Sequence, residues 1–334
     1  MSAQTSHYES DALPTEPVGV VVIGGGAAGL NGALMLARSR RSVVVIDSGT
    51  PRNAPAAAMH GFIVLDGTPP PEILQRGREQ VRQYGGRIVF GEVSGAEPAA
   101  PSAAGDLRFT VTLADGRTLT ARRVLVATGL RDVLPEVPGL AQHWGHSVVH
   151  CPYCHGWEVR DEPIGILSTG PASVHHSWLF RQLTDDLIYF TNGTELDTDT
   201  RARFAARSIR IIETEVKEVV NDDGALAGVR LTDGTFVARR ILAVATQMQA
   251  RTEGLDGLKL LMEDLPDSMG RRFASAMAGT TEIPGVWVAG NATDLTAQVG
   301  ASAAAGALAG SHINALLAAA DTDAALAAAQ KTTG

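Results

Sequence analysis

The sequence predicts an α/β protein of two βαβ-based domains, the first interrupted by the second. Three stretches carry that prediction. Within Pro17–Gly49 a strand, a glycine-rich turn, a helix and a second strand follow one another. The same alternation returns at Ile164–Phe190 without the full glycine fingerprint. Late in the chain, Ile283–Asp294 reads as another strand of the first kind, followed by a helix of small residues. At 334 residues the chain also exceeds one typical core.

In the first unit, Val20–Ile23 is an apolar strand, Gly24-x-Gly26-x-x-Gly29 follows at once, and Leu30–Ala37 has helical character. Val43–Ile46 is the second strand and Asp47 ends it. Gly24 permits a tight turn, Gly26 lets the backbone approach a diphosphate, and Gly29 lets helix pack on strand. The diphosphate then sits on the helix N-terminus, where free N–H groups and the dipole favour an anion. Asp47, roughly 20 residues on, would accept hydrogen bonds from a ribose. The motif predicts dinucleotide binding but does not separate FAD from NAD. Two later strand ends bear on that choice. Arg122–Leu130 closes on Ala127-Thr128-Gly129, and Ile283–Asp294 closes on Gly290-Asn291 with Asp294 shortly after. The small-residue helix then starts within Ala297–Gly306.

The second unit has strands at Ile164–Leu167 and Leu187–Phe190 around a helix at Val174–Leu183. Its turn reads Ser168-x-Gly170-x-x-Ser173, so the fingerprint is broken. The second strand runs into Thr191-Asn192-Gly193, with no acid for NAD, and Arg201 is the first basic residue available to an NADP 2′-phosphate. This argues against NADP(H). The rival is a variant turn that still binds NADPH.

Both cysteines lie in His150-Cys151-Pro152-Tyr153-Cys154-His155. Such a pair is redox-active or half of a metal site. With His143, His146, His150 and His155 nearby, a zinc set is the alternative. The redox reading is preferred because a dinucleotide-binding frame accompanies it and Pro152 suits such motifs. His143 and His146 otherwise read as surface-loop histidines, and His175 and His176 as structural. Trp157 and Tyr153 are candidates to wall the pocket.

Net charge of −8, with no long basic run, disfavours nucleic acid as a partner. Val18–Ala37 and Gly300–Ala320 carry no Asp, Glu or Lys and mimic membrane spans, but glycines break both. They are read as buried strand and helix, with no membrane partner. The N-terminus lacks a basic and apolar leader, so a cytoplasmic location is expected.

Taken together, GxGxxG, Ala127-Thr128-Gly129, the late Gly290-x-x-x-Asp294 and an inserted βαβ unit with CxxC resemble the low-molecular-weight thioredoxin reductases. The resemblance runs from Val18 to about Leu317. The spelling Cys-Pro-Tyr-Cys-His-Gly resembles one branch more closely, the FAD-dependent dithiol oxidases that make the disulfides of gliotoxin and holomycin. Members of that branch lack the nicotinamide motifs and pass electrons from a dithiol through flavin to dioxygen.

The resemblance implies two Rossmann-like dinucleotide-binding domains, FAD as cofactor, a small-molecule dithiol and O2 as partners, and a homodimer. It implies that Asp294 contacts the flavin side of FAD and that amides near Gln298 and Val299 face the flavin ring. Ala27 and Ala28 belong to the diphosphate turn. Ser48, Arg52, Asn53 and His60 lie in Thr50–Leu74 or at its edge, a stretch of little periodicity that wraps FAD in relatives; Val93 is a further expected contact. In the implied reaction a substrate thiolate attacks the disulfide and Cys151 forms the mixed disulfide. Cys154 stands nearer the flavin. His155 is the expected base, with His150 as the second flanking imidazole. Two departures stand out. His155 occupies the place where thioredoxin reductases carry Asp, and Gly290-Asn291 replaces their Gly-Asp. A pyridine-nucleotide-dependent reductase, an enzyme fed by an iron–sulfur protein and a non-catalytic flavin sensor remain as alternatives.

The expected domains are a flexible tail (1–17), the first part of the FAD domain (18–130), the inserted domain (131–249), the second part of the FAD domain (250–320) and a C-terminal tail (321–334). Hairpins are expected at Asp115-Gly116 and Asp233-Gly234.

Overall fold

The computed structural model describes residues 10–102 and 105–333. The first sheet has the order β3 (Arg87–Phe90), β2 (Val43–Asp47), β1 (Val18–Ile23), β6 (Thr118–Val126), β5 (Arg108–Leu113), β4 (Val93–Ala99), and β19 (Val286–Val288) also joins β6. β3, β2, β1, β6 and β19 are parallel. The first half of β6 pairs antiparallel with β5 and its last residues pair with β19. Parallel strands are covered on both faces and so read as continuous apolar runs. Val21, Ile23, Val44 and Ile46 face one core; Val20, Val22, Val43 and Val45 face the other.

The second core is closed by α1 (Ala27–Arg38) against α6 (Val299–Thr333). A methyl group at Gly306 would stand 1.9 Å from the Ala28 carbonyl oxygen. The small residues of Gly300–Ala320 therefore serve close approach of two helix backbones. Among the described residues, Val299–Lys331 is the one helical stretch long and apolar enough to cross a membrane. Ala309, Ile313 and Leu317 on it are fully buried in the core shared with α1.

Both expected tails need correction. Residues 1–9 lie outside the described residues, but Asp11 is held: its carboxylate accepts from the Ile88 amide at 2.7 Å and pairs with Arg82 at 3.0 Å. Residues 321–333 continue α6, whose Ala-rich sequence favours helix, and Asp321 ion-pairs with Arg41 and Arg122. Thr50–Leu74 is turns up to a Met59–Thr68 bridge, but α2 (Pro70–Gln83) then begins inside it. Proline at a helix start costs nothing, since no N–H is needed there.

The inserted domain has a parallel sheet of order β11 (Arg210–Ile212), β10 (Leu187–Phe190), β9 (Ile164–Leu167), β15 (Ile241–Val244), β8 (Val148–Val149). An antiparallel layer of β12 (Val216–Asp222), β13 (Ala225–Leu231) and β14 (Phe236–Ala238) flanks it. The chain crosses between domains on β7 (Leu130–Val133) and β16 (Gln247–Ala250), an antiparallel pair running from Leu130↔Ala250 to Val133↔Gln247. β18 (Gly270–Phe273) and β17 (Met262–Leu265) extend that pair. The expected boundaries at 130/131 and 249/250 thus fall inside the crossing strands. Both expected hairpins are present, between β5 and β6 and between β13 and β14.

Candidate active site

A cavity of about 610 Å³ is lined by residues of both domains. Every catalytic or cofactor-binding residue expected from the sequence lines it except Gly29, Gly290 and Asp294.

One end of the cavity is the glycine turn. Gly24 has φ +104°, and a side chain there would meet the Ala127 carbonyl oxygen at 2.3 Å. Gly26 caps α1 with no side-chain hydrogen bond, and a methyl group there would meet no protein atom within 4 Å. The N–H groups of the first helical turn therefore face the cavity unclaimed by a cap. Gly29 lies behind, where a methyl group would stand 1.9 Å from the Gly24 carbonyl oxygen. Asp47, at the end of β2, is buried and pairs with Arg78 at 3.1 Å.

The late strand end contributes Ala289 and Asn291 to the cavity lining. A methyl group at Gly290 would press to 2.7 Å on the Ala28 side chain. Asn291 donates from Nδ2 to the carbonyls of Asp294, Leu295 and Ala297. Three carbonyls around one nitrogen fix the amide and leave Oδ1 as its free acceptor. An aspartate here would set an oxygen against the same three carbonyls, so the departure from Gly-Asp suits this loop. Asp294 instead turns to Thr296, accepting from its amide at 3.1 Å and its hydroxyl at 2.8 Å. Gln298 and Val299 line the cavity at the start of α6, a second helix N-terminus.

The cysteines stand at the other end. β8 leads into His150, and Cys151 caps the short helix α3 (Pro152–His155). Cys151 and Cys154 are joined in a disulfide, and the Cys154 amide donates to Cys151 Sγ at 3.1 Å. Gly156 follows because a side chain would strike the Pro152 carbonyl oxygen at 2.1 Å and Leu183 at 2.4 Å. Two of the six ligands in the metal alternative, the cysteine sulfurs, are bonded to each other. Among the described residues no group of three or more His, Cys, Asp or Glu is arranged to hold a metal ion. Tyr153 (65%) and Trp157 (67%) are exposed and do not line the cavity; Trp144 does.

The histidines differ. His143, expected at the surface, is buried. His155 has both ring nitrogens buried without a partner among the described residues; burial lowers its pKa and Glu158 opposes that. His176 on α4 (Ala172–Phe180) packs edge-on to His150, with ring centroids 5.0 Å apart. Burial lowers the pKa of His143 and His150 as well, and takes His176 to about 3. Below the ordinary value of 6.5 the unfolded chain binds more protons than the folded one, so stability falls as pH drops. For His176 the loss is about 1.4 kcal/mol per pH unit, down to its folded pKa. Thermal melts at pH 7, 5.5 and 4 are expected to show a falling Tm, with a shallower fall in His176→Phe. Equal slopes in the two proteins would refute this assignment.

The second glycine turn is closed on itself. Ser173 Oγ accepts from the Thr169 amide at 3.0 Å, and Thr169 Oγ1 donates to the Ala245 carbonyl. Buried Ser168 accepts from Tyr189 and donates to Thr194. Arg201, on α5 (Thr198–Ala206), is paired with Glu213 at 2.7 Å.

Sequence reasoning missed Asp132, Thr246, Glu158 and Arg78. Arg52 binds Asp132 through two bonds of 2.7 Å. His60 reaches Glu158 at 3.4 Å, tying the turn-rich stretch to the inserted domain. Asp132 and Thr246 lie on or beside the crossing strands, where no local pattern marks them.

A dinucleotide cradle and a cysteine pair opening on one cavity define a thiol–disulfide oxidoreductase of the flavoprotein type. Residues 18–309 match the family described as pyridine nucleotide-disulphide oxidoreductase, and the chain belongs to that family, whose members bind FAD. It is 33% identical over 282 residues to thioredoxin reductase tcpT of Claviceps purpurea (strain 20.1), covering 82% of this chain and 86% of that one. Thioredoxin reductase sirT of Leptosphaeria maculans is 32% identical over 316 residues, covering 88% and 92%. The crystal structure of HlmI matches with a TM-score of 0.89 at 43% identity, over 97% of this chain and 99% of that chain. The residues present fit FAD. Two helix N-termini open on one cavity, one beside an open glycine cradle for a diphosphate and one beside Asn291.

Proposed function

We propose that the enzyme oxidises a small-molecule dithiol to a disulfide through Cys151–Cys154 and FAD, with dioxygen as final acceptor and hydrogen peroxide as product. The closed second turn carries this reading. The Thr169 amide that a nicotinamide diphosphate would need is already held by Ser173, which argues against NADP(H) as electron source.

A substrate thiolate attacks the disulfide and forms a mixed disulfide on Cys151, releasing the Cys154 sulfur. The second substrate thiol then displaces Cys151, whose departing thiolate is stabilised by the Cys154 amide. The substrate loses two electrons and two protons; the cysteine pair gains both. FAD, when bound, accepts the electrons from the pair and delivers them to dioxygen. The reading goes with a cytoplasmic homodimer that needs neither nucleic acid nor a membrane.

The test mixes the yellow protein anaerobically with dithiothreitol and, separately, with NADPH. Bleaching by the dithiol alone, reversed by air with release of hydrogen peroxide, is the expected result. Fast bleaching by NADPH would make the enzyme a reductase.

A further inference from the structure

We infer that Asp132 and Thr246 are positioning residues that orient His150 as the base for thiol exchange at Cys151. The inference rests on the thiol–disulfide reading above and concerns how that exchange handles its proton.

The argument begins at Arg52, whose guanidinium holds both oxygens of Asp132 at 2.7 Å. Burial alone would raise the pKa of Asp132, but the bonds from Arg52 and Thr246 outweigh it and hold it below the usual carboxylate value. Asp132 is therefore ionised and only accepts. The Thr246 hydroxyl has one proton and spends it on Asp132 Oδ1 at 2.6 Å. Toward His150 Nδ1, 3.4 Å away, that hydroxyl has only a lone pair to offer. The Val244 carbonyl, 3.1 Å from the same nitrogen, is also an acceptor. The Thr246 amide, at 3.3 Å, is the single donor facing Nδ1. Two acceptors against one donor, with the shortest contact from an acceptor, put the proton on Nδ1. The lone pair is then on Nε2.

The other groups around the ring agree. His150 is surrounded by Asp132 and Arg52 on one side, His176 from α4 on another, and Cys151 next in the chain. Burial and Arg52 keep the ring neutral at neutral pH against the opposing pull of Asp132. His150 lines the cavity together with both cysteines. No comparable network orients His155, whose ring nitrogens have no partner among the described residues. The inference thus moves the base from His155 to His150.

The proton balance closes. Nε2 takes the proton of the attacking substrate thiol as the new S–S bond forms, and returns it to the cysteine sulfur released when the old bond breaks. In the reduced protein the same nitrogen takes the Cys151 proton and makes the thiolate.

The test uses reduced, FAD-loaded protein. Alkylation of Cys151 by iodoacetamide is followed from pH 5 to 9 by peptide mass spectrometry, beside turnover of dithiothreitol. Thr246→Val is expected to move the alkylation midpoint up by about one pH unit, slowing the reaction about tenfold at pH 7, with turnover falling in step. Thr246→Ser restores the hydroxyl and is expected to stay within about twofold of the parent. Asp132→Asn, which keeps the shape, should act like Thr246→Val, and the double variant should be no worse than either single one. If Thr246→Val does not fold, Asp132→Asn carries the same test. An unchanged midpoint in Thr246→Val or Asp132→Asn would overturn the inference, as would a serine variant as impaired as the valine one. A parent protein that turns over no dithiol sinks the dithiol reading instead, and the alkylation profile still decides this one.

Discussion

Cys154→Ser, loaded with FAD, is expected to stay yellow under anaerobic dithiothreitol while the parent protein bleaches. The rate should fall by at least about 1000-fold, the scale on which loss of a covalent participant is felt. Cys151 and Cys154 line the cavity that also holds the glycine turn, and under the proposed function the pair would be the path from a thiol to the cofactor. With one sulfur gone, no protein disulfide exists for a substrate thiolate to open. Serine is close to cysteine in size, and Cys154 sits in a one-turn helix whose packing depends on Gly156, so folding should be unaffected. FAD content and Tm equal to the parent would confirm that. Bleaching at the parental rate would show that dithiols reduce the flavin directly.

The second large effect separates two glycines three residues apart. Gly29→Ala puts a methyl group 1.9 Å from the Gly24 carbonyl oxygen and 3.2 Å from Val22. One backbone must move, and the domain is expected to lose on the order of 3–5 kcal/mol, with FAD lost as a consequence. Gly26→Ala puts its methyl group into open cavity, with no protein atom within 4 Å. The apoprotein should melt within about 0.5 kcal/mol of the parent, yet FAD affinity should drop about tenfold or more, because the methyl group occupies the diphosphate's approach. Thermal melts of both apoproteins, with FAD titration of Gly26→Ala, decide it. A Gly26→Ala protein that binds FAD like the parent would mean the cofactor does not approach the turn as described.

The contrast shows what the sequence carries. Gly24 and Gly29 are legible because their roles are local: turn and packing both lie within one strand–helix junction. The strands at Ile164–Leu167 and Leu187–Phe190 were legible for the same reason. The resemblance implies a flavin-side contact for Asp294, and the structure adds what no motif shows: its Oδ1 accepts from the amide and hydroxyl of the neighbouring Thr296. The sequence reads as a tail over 321–334, whereas α6 continues through it, held at Asp321 by Arg41 and Arg122, which are far away in sequence. Asp132 and Thr246 escaped notice because their meeting depends on the antiparallel register of β7 and β16, which no short window of sequence reveals.

That register has one more consequence. Val133 and Gln247 face each other across the pair, so the polypeptide leaves for the inserted domain and returns from it one strand spacing apart, about 5 Å. The excursion behaves as a cassette with adjoining ends. A replacement spliced at those two positions meets the rest of the protein without new linkers. The cysteine pair, His150, Thr246 and the second glycine turn all lie within that excursion, so they would travel together in any such exchange.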